Sequence, residues 1–165
     1  MFQRCLKMSE NKINLIDEIP WLIFKLNDKL YTVNSKMITS IIIKPEEITY
    51  VPNVPPYIEG LIHLRGNVVP LINLKLLLNI KNDSKDELKD SLKETKEMAI
   101  ILEKENMIMG LLVDQVLSVE KITEYEKTDE AKISSRDGYV TGVAKGQKND
   151  SVLLVLDEER IMNTA

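Results

Sequence analysis

One cysteine and one histidine in 165 residues leave this sequence almost without the side chains that bind transition metals or run thiol and imidazole chemistry. Cys5 has no second cysteine to pair with inside the chain, which suits a reducing compartment. His63 sits between Ile62 and Leu64 in an apolar stretch and reads as a side chain on the solvent face of a strand. No ligand-spaced cluster of Cys, His or carboxylates is present, and no nucleophile-elbow sequence. Neighbouring carboxylates such as Glu46 with Glu47 and Asp157 with Glu158 suit capping and solubility better than acid–base work. A Walker-type loop and a dinucleotide glycine fingerprint are both missing. The expectation is a protein with no catalytic residues, no metal and no cofactor.

Positive charge is also in short supply. A net charge of −4 and a pI near 5.2 argue against a nucleic-acid partner, because displacing counterions from phosphates needs a concentrated basic field. No apolar run approaches the roughly 18 residues of a spanning helix. Met1 to Lys12 lacks the apolar core of a signal peptide. These absences predict a cytoplasmic protein with no direct membrane insertion.

What is present is aliphatic. Apolar residues make up 44% of the chain while aromatics reach only 5%, so the core is built from branched Ile, Leu and Val, which favour pleated surfaces. Residues 1–18 read as a polar tail and 19–165 as one domain. Trp21 to Leu26 and Leu30 to Val33 flank Asn27-Asp28-Lys29 as a hairpin. Ser35 to Ile43 offers a short helical turn or an irregular crossing, and its mixed spacing also permits a strand. Pro45, Pro52, Pro55 and Pro56 exclude a long helix from the next stretch. Tyr57 to Arg65 and Val68 to Ile72 read as strands around a Gly66-Asn67 turn, with Pro70 requiring an unpaired side or a kink. Asn73 caps a short helix to Ile80. The stretch 81–97 is a charged insertion, with a capping box at Ser84 and Glu87. Met98 to Leu102, Met107 to Val113 and Val116 to Val119 restore the strand pattern, Lys121 to Ile133 reads as polar and irregular, and Tyr139 to Ala144 pairs with Val152 to Leu156. Asp157 caps a last short helix. The total is about ten short strands in two groups, the pattern of small barrels or a sandwich.

The most specific stretch is Tyr57-Ile58-Glu59-Gly60-Leu61-Ile62-His63-Leu64-Arg65-Gly66-Asn67-Val68-Val69-Pro70-Leu71-Ile72-Asn73-Leu74. It closely resembles the signature of the CheW family: an aromatic and Ile before Gly, then Leu-Arg-Gly, two apolar residues, Pro, and an apolar pair leading to Asp or Asn and Leu. Trp21 to Val33 is similar to that family's opening hairpin. Met109 to Val119 resembles its Gly-apolar-apolar-Val-Asp-x-Val strand, and Tyr139 to Leu156 its Tyr-x-x-Gly-x-x-x-Gly strand pair. From the residues alone, Arg65 reads equally as a cover for apolar surface or as a forked donor offered to a partner.

The resemblance implies an all-β fold with short helices, built as two intertwined five-stranded SH3-like β-barrels. It implies a non-catalytic adaptor that couples methyl-accepting chemoreceptors to a CheA-type histidine kinase. One surface would meet the kinase's regulatory domain, near Ile38, Ser40 and Gly60; another would meet the cytoplasmic tip of a receptor, near Arg65, Val33 and Val113. One departure stands out: the family's Val-x-Glu-Ile is here Ile38-Thr39-Ser40-Ile41, which replaces an acidic residue by Ser40 and bears on the choice of kinase. The alternatives are a divergent CheW-like module serving a non-chemotactic kinase, and a small β-barrel that binds a ligand.

Overall fold

The computed structural model describes residues 19–80, 96–127, 138–146 and 151–164, and within them the chain forms eleven strands and two short α-helices. The tail, the Ser84 capping box and most of the charged insertion lie outside the described residues. β1 (Trp21–Leu26) and β2 (Lys29–Asn34) form the expected hairpin. Ser35 to Ile43 takes two of its three readings in turn, the helical turn and the strand, and not the irregular crossing. A 3₁₀ turn over Ser35–Met37 leads into β3 (Ile38–Ile43), because Asn34 accepts a bond from the Lys36 N–H and starts the turn, after which β-branched residues take over.

β4 (Ile58–Leu64) and β5 (Asn67–Asn73) pair with Leu64 opposite Asn67, so the turn is Arg65-Gly66 and not Gly66-Asn67. Both turn residues have positive φ, 50° and 81°, which matches the right-handed twist of the strands they join. α1 (Leu74–Leu77) is shorter than expected: Asn73 Oδ1 caps the Leu76 N–H, and Asn79 at φ 57° ends it. β6 (Met98–Lys104), β7 (Met107–Val113) and β8 (Gln115–Glu120) follow. The stretch read as irregular instead holds β9 (Ile122–Lys127), whose polar face carries no apolar alternation and whose strand form is imposed by pairing with β10 (Val140–Gly146). β11 (Val152–Leu156) and α2 (Glu158–Thr164) complete the chain.

The strands make two sheets, ordered β8-β1-β2-β11-β10-β9 and β3-β6-β7-β5-β4. β1 and β2 therefore join the sheet formed late in the sequence, and this exchange intertwines the two units. Only Lys121 separates β8 from β9, yet these strands stand at opposite ends of the six-strand order, so that sheet curls until its edges meet. The five-stranded sheet curls too: Lys44, just after β3, reaches Glu59 of β4 across its two outer strands. Each unit is an SH3-like barrel, one of five strands and one of six.

Side-chain alternation sorts the core into three. Trp21 and Ile23 of β1 fill the six-stranded barrel with Ile122, Ala144, Leu153 and Val155. Ile62, Val69, Leu71, Ala99, Ile101 and Leu112 fill the five-stranded one. The opposite faces meet in a shared core that holds Leu22, Phe24 and Leu26 against Ile72, Ile100, Leu102 and Leu111. Strands buried on both faces read as continuous apolar runs, which explains Met98 to Leu102. Pro70 sits in an interior strand, but β7 pairs with β5 only from Leu71 onward, so the proline faces an unpaired side as expected.

Candidate interaction surface

Strand directions place the candidate residues. β3 runs antiparallel to β6, β6 antiparallel to β7, β7 parallel to β5 and β5 antiparallel to β4. β4 therefore runs opposite to β3. One end of the five-stranded barrel carries Ile38, the Arg65-Gly66 turn, and the β6–β7 turn after Lys104; the other carries Lys44, Glu59, Asn73 and Val113.

Arg65 is exposed at the tip of β4–β5 and makes no ion pair among the described residues. Its φ of 50° is one that asparagine or glycine occupies more readily than arginine. Beside it on the same end, Val68 is 50% and Met107 42% exposed. His63 is exposed opposite Val68, which agrees with its solvent-face reading.

Ile38 and Ser40 are half-buried on β3, separated by a bulge at Thr39. Ser40 pairs with Ile101, and so shares the barrel-facing side of that buried residue. The outward residues of this outer strand are Ile41 and Ile43, 37% and 54% exposed. Gly60 is buried at the far end: a Cβ there would lie 2.5 Å from both the Thr49 carbonyl oxygen and Ile48 Cγ2. Glycine lets the Thr49 segment bridge to Leu61, through reciprocal backbone bonds of 2.9 Å. Val33 and Val113 are both in the shared core, at 0% and 1% exposure. The structure thus brings Ile38 and Arg65 to one end of a barrel and places Gly60, Val33 and Val113 inside the fold.

Two polar clasps were not singled out from sequence. A bulge in β4 sets Glu59 outside the ladder, where a bulge re-aims a side chain. Glu59 Oε1 accepts from Asn73 Nδ2 at 2.9 Å, and Glu59 Oε2 lies 2.9 Å from Lys44 Nζ, which also meets Glu97 at 3.8 Å. Burial works against the Lys44 charge, but the hydrogen bond to Glu59 and the Glu97 and Glu59 charges outweigh it and hold this lysine above its ordinary range. The second clasp is Asp114. Its Oδ2 accepts from the Asn27 N–H at 2.8 Å, its Oδ1 meets Lys75 Nζ at 2.7 Å, and its own N–H donates to Lys25 O at 3.1 Å. One carboxylate thus joins the β1–β2 turn of one unit to α1 of the other. The only sequence signal for it was its place in the Val-Asp-x-Val strand. No group of three or more His, Cys, Asp or Glu residues among the described residues is arranged to hold a metal.

The comparisons with known proteins fit this architecture. The sequence model of the CheW-like domain matches residues 20–165. Chemotaxis protein CheW of Bacillus subtilis is 32% identical over 142 residues, which is 86% of this chain and 80% of that protein. Chemotaxis protein CheW of Thermotoga maritima is 32% identical over 123 residues, 73% of each. The crystal structure of scaffolding protein TtCheW from Thermoanaerobacter tengcongensis superposes with a TM-score of 0.68 at 27% identity, covering 84% of this chain and 88% of that one. With the signature hairpin, the exchanged strands and the family match agreeing over the same residues, this chain belongs to the family of CheW-like domains.

Proposed function

We propose that this chain is a non-catalytic adaptor that couples methyl-accepting chemoreceptors to a CheA-type histidine kinase at receptor arrays. The observation that carries the reading is Arg65. An exposed arginine held at positive φ costs backbone energy, about 1 kcal/mol, and makes no ion pair among the described residues in return. A residue kept in that state serves something outside the chain, and the planar guanidinium fork suits a partner's carboxylates or carbonyls. Val68 and Met107 supply the apolar ground beside it. On this reading the receptor side centres on Arg65, while Val33 and Val113 act from the core by setting the strands that carry it.

The kinase side lies along β3. Ile38–Ile43 contains no charged residue and is an outer strand, so its contact is made by Ile41 and Ile43, while Gly60 closes the barrel behind it. With Ser40 in place of a carboxylate the strand carries no negative charge, which favours a kinase whose matching surface is itself uncharged there. Calorimetric titration against the regulatory domain of a CheA-type kinase and against a receptor cytoplasmic fragment tests both sides. Saturable binding to each is expected, with kinase affinity changing less than about threefold between 50 and 500 mM salt. Arg65→Glu should weaken receptor binding about tenfold with the fold intact, since an unpaired exposed charge contributes little to stability. Failure of the folded protein to bind either partner would end the adaptor reading.

A further inference from the structure

α2 is seven residues long, too short to hold together alone, so it exists because it is docked. Its docking is unusual in drawing on both barrels. Ile161 and Met162, each 1% exposed, enter the shared core between the sheets. Around them the polar attachments divide between the units. On the six-stranded side, the Asp157 N–H donates to Tyr139 O at 2.8 Å, Arg160 Nη1 donates to Gly138 O, and the Tyr139 hydroxyl bonds Thr164 Oγ1 at 3.1 Å. On the five-stranded side, Lys104 Nζ donates to Glu159 Oε1 at 2.7 Å and the Tyr57 hydroxyl donates to Thr164 O at 3.3 Å. Lys104 and Tyr57 lie at opposite ends of that sheet, one at the end of β6 that carries Arg65 and the other just before β4 at the Lys44 end. α2 therefore bonds residues from both ends of the five-stranded sheet while bonded at both of its own ends to the six-stranded unit. At Thr164 a single residue takes a tyrosine hydroxyl from each unit.

We propose that α2 is a latch that fixes the orientation of one barrel against the other, with the Tyr57 and Tyr139 hydroxyls as its closing contacts. Much of the shared core consists of apolar side chains, which hold two bodies together without dictating angle. Among the described residues, α2 and Asp114 supply directional bonds across it. With its last residue released, α2 loses the two hydroxyl contacts and then the Ile161–Met162 plug, and the barrels gain freedom to rock about the Asp114 clasp. The proposal concerns the fold alone and does not require the adaptor reading.

Tyr57→Phe/Tyr139→Phe removes both hydroxyls and keeps both rings. In a Cys5→Ser background, spin labels on His63→Cys and Lys121→Cys, exposed positions on different barrels, report the distance between the units. Hydrogen exchange at Arg160 to Met162 reports whether α2 is docked. The double Phe variant is expected to exchange roughly tenfold faster in α2, with β6 and β7 unchanged, and to broaden the distance distribution. Faster exchange with an unaltered distribution would make α2 a passenger, and unchanged exchange would show that the hydroxyls do not hold it; either result overturns the proposal. If the double variant does not fold, Tyr139→Phe alone is read by the same two measures with the same outcomes.

Discussion

Gly60 and Arg65 sit five residues apart in one signature and are constrained for opposite reasons. Gly60 is fixed from inside: a Cβ would meet Ile48 Cγ2 and the Thr49 carbonyl oxygen, each at 2.5 Å, and the carbonyl is backbone that cannot swing aside. Gly60→Ala should therefore cost about 3 kcal/mol, the upper part of the usual range for overpacking, seen as a lower urea midpoint with an unchanged slope. An unchanged midpoint would mean that the Thr49 bridge yields freely. Arg65 is exposed and makes no ion pair among the described residues, and on the proposed adaptor reading its constraint comes from outside, from a partner. The sequence showed both residue types as special but could not separate these causes, because the distinction lies in the 44–57 crossing that packs on one and leaves the other bare. Val33 and Val113 show the same limit in reverse: position in a family pattern suggested a surface role, whereas the pleat turns both into the core.

Elements with local causes were legible. The β1–β2, β4–β5 and β6–β7 hairpins follow from turn residues between apolar runs, and Asn73 and Asp157 cap their helices through side-chain oxygens, at 3.3 Å to Leu76 N and 3.2 Å to Arg160 N. β9 was not legible, because five of its six residues are exposed and Ile122 alone reaches a core. Behind the Asp157 cap lies a feature with a measurable pH dependence. Burial raises the Glu158 carboxyl to about 7, with Asp157 and Glu159 adding to the rise and its own backbone N–H and Lys104 opposing it. The unfolded chain loses this proton near the ordinary value of 4.5, and the folded chain keeps it until about 7. Stability is therefore fully supported below about 4.5, falls as pH rises to about 7, and levels off above it. Glu158→Gln should leave stability nearly unchanged at pH 4 and raise it by about 2 kcal/mol at pH 8. An equal effect at both pH values would place its origin in packing instead of ionisation.

At the scale of the whole molecule the question is whether two barrels behave as one. Strand exchange puts β1 and β2 across the chain from their sequence neighbours, a long-range allotment that no local pattern announces, and the shared core then ties the units through apolar contact. Trp21, the chain's single tryptophan, lies in the six-stranded barrel alone, so its fluorescence reports one unit while far-UV circular dichroism reports both. If the shared core couples the units, urea transitions followed by the two signals coincide. Asp114 is the sharpest probe of that coupling because its carboxylate bonds Asn27 on one side and Lys75 on the other. Asp114→Ala removes a charge-assisted contact from each and should lower stability by about 2 kcal/mol, while Asp114→Asn, which keeps an acceptor for the Asn27 N–H, should lose about half as much. With the core intact, both variants should still unfold with coincident signals at lower urea. Should the Trp21 transition separate from the circular dichroism transition in Asp114→Ala, the clasp and not the core makes the two barrels a single cooperative unit; should they separate in the unaltered protein, neither does.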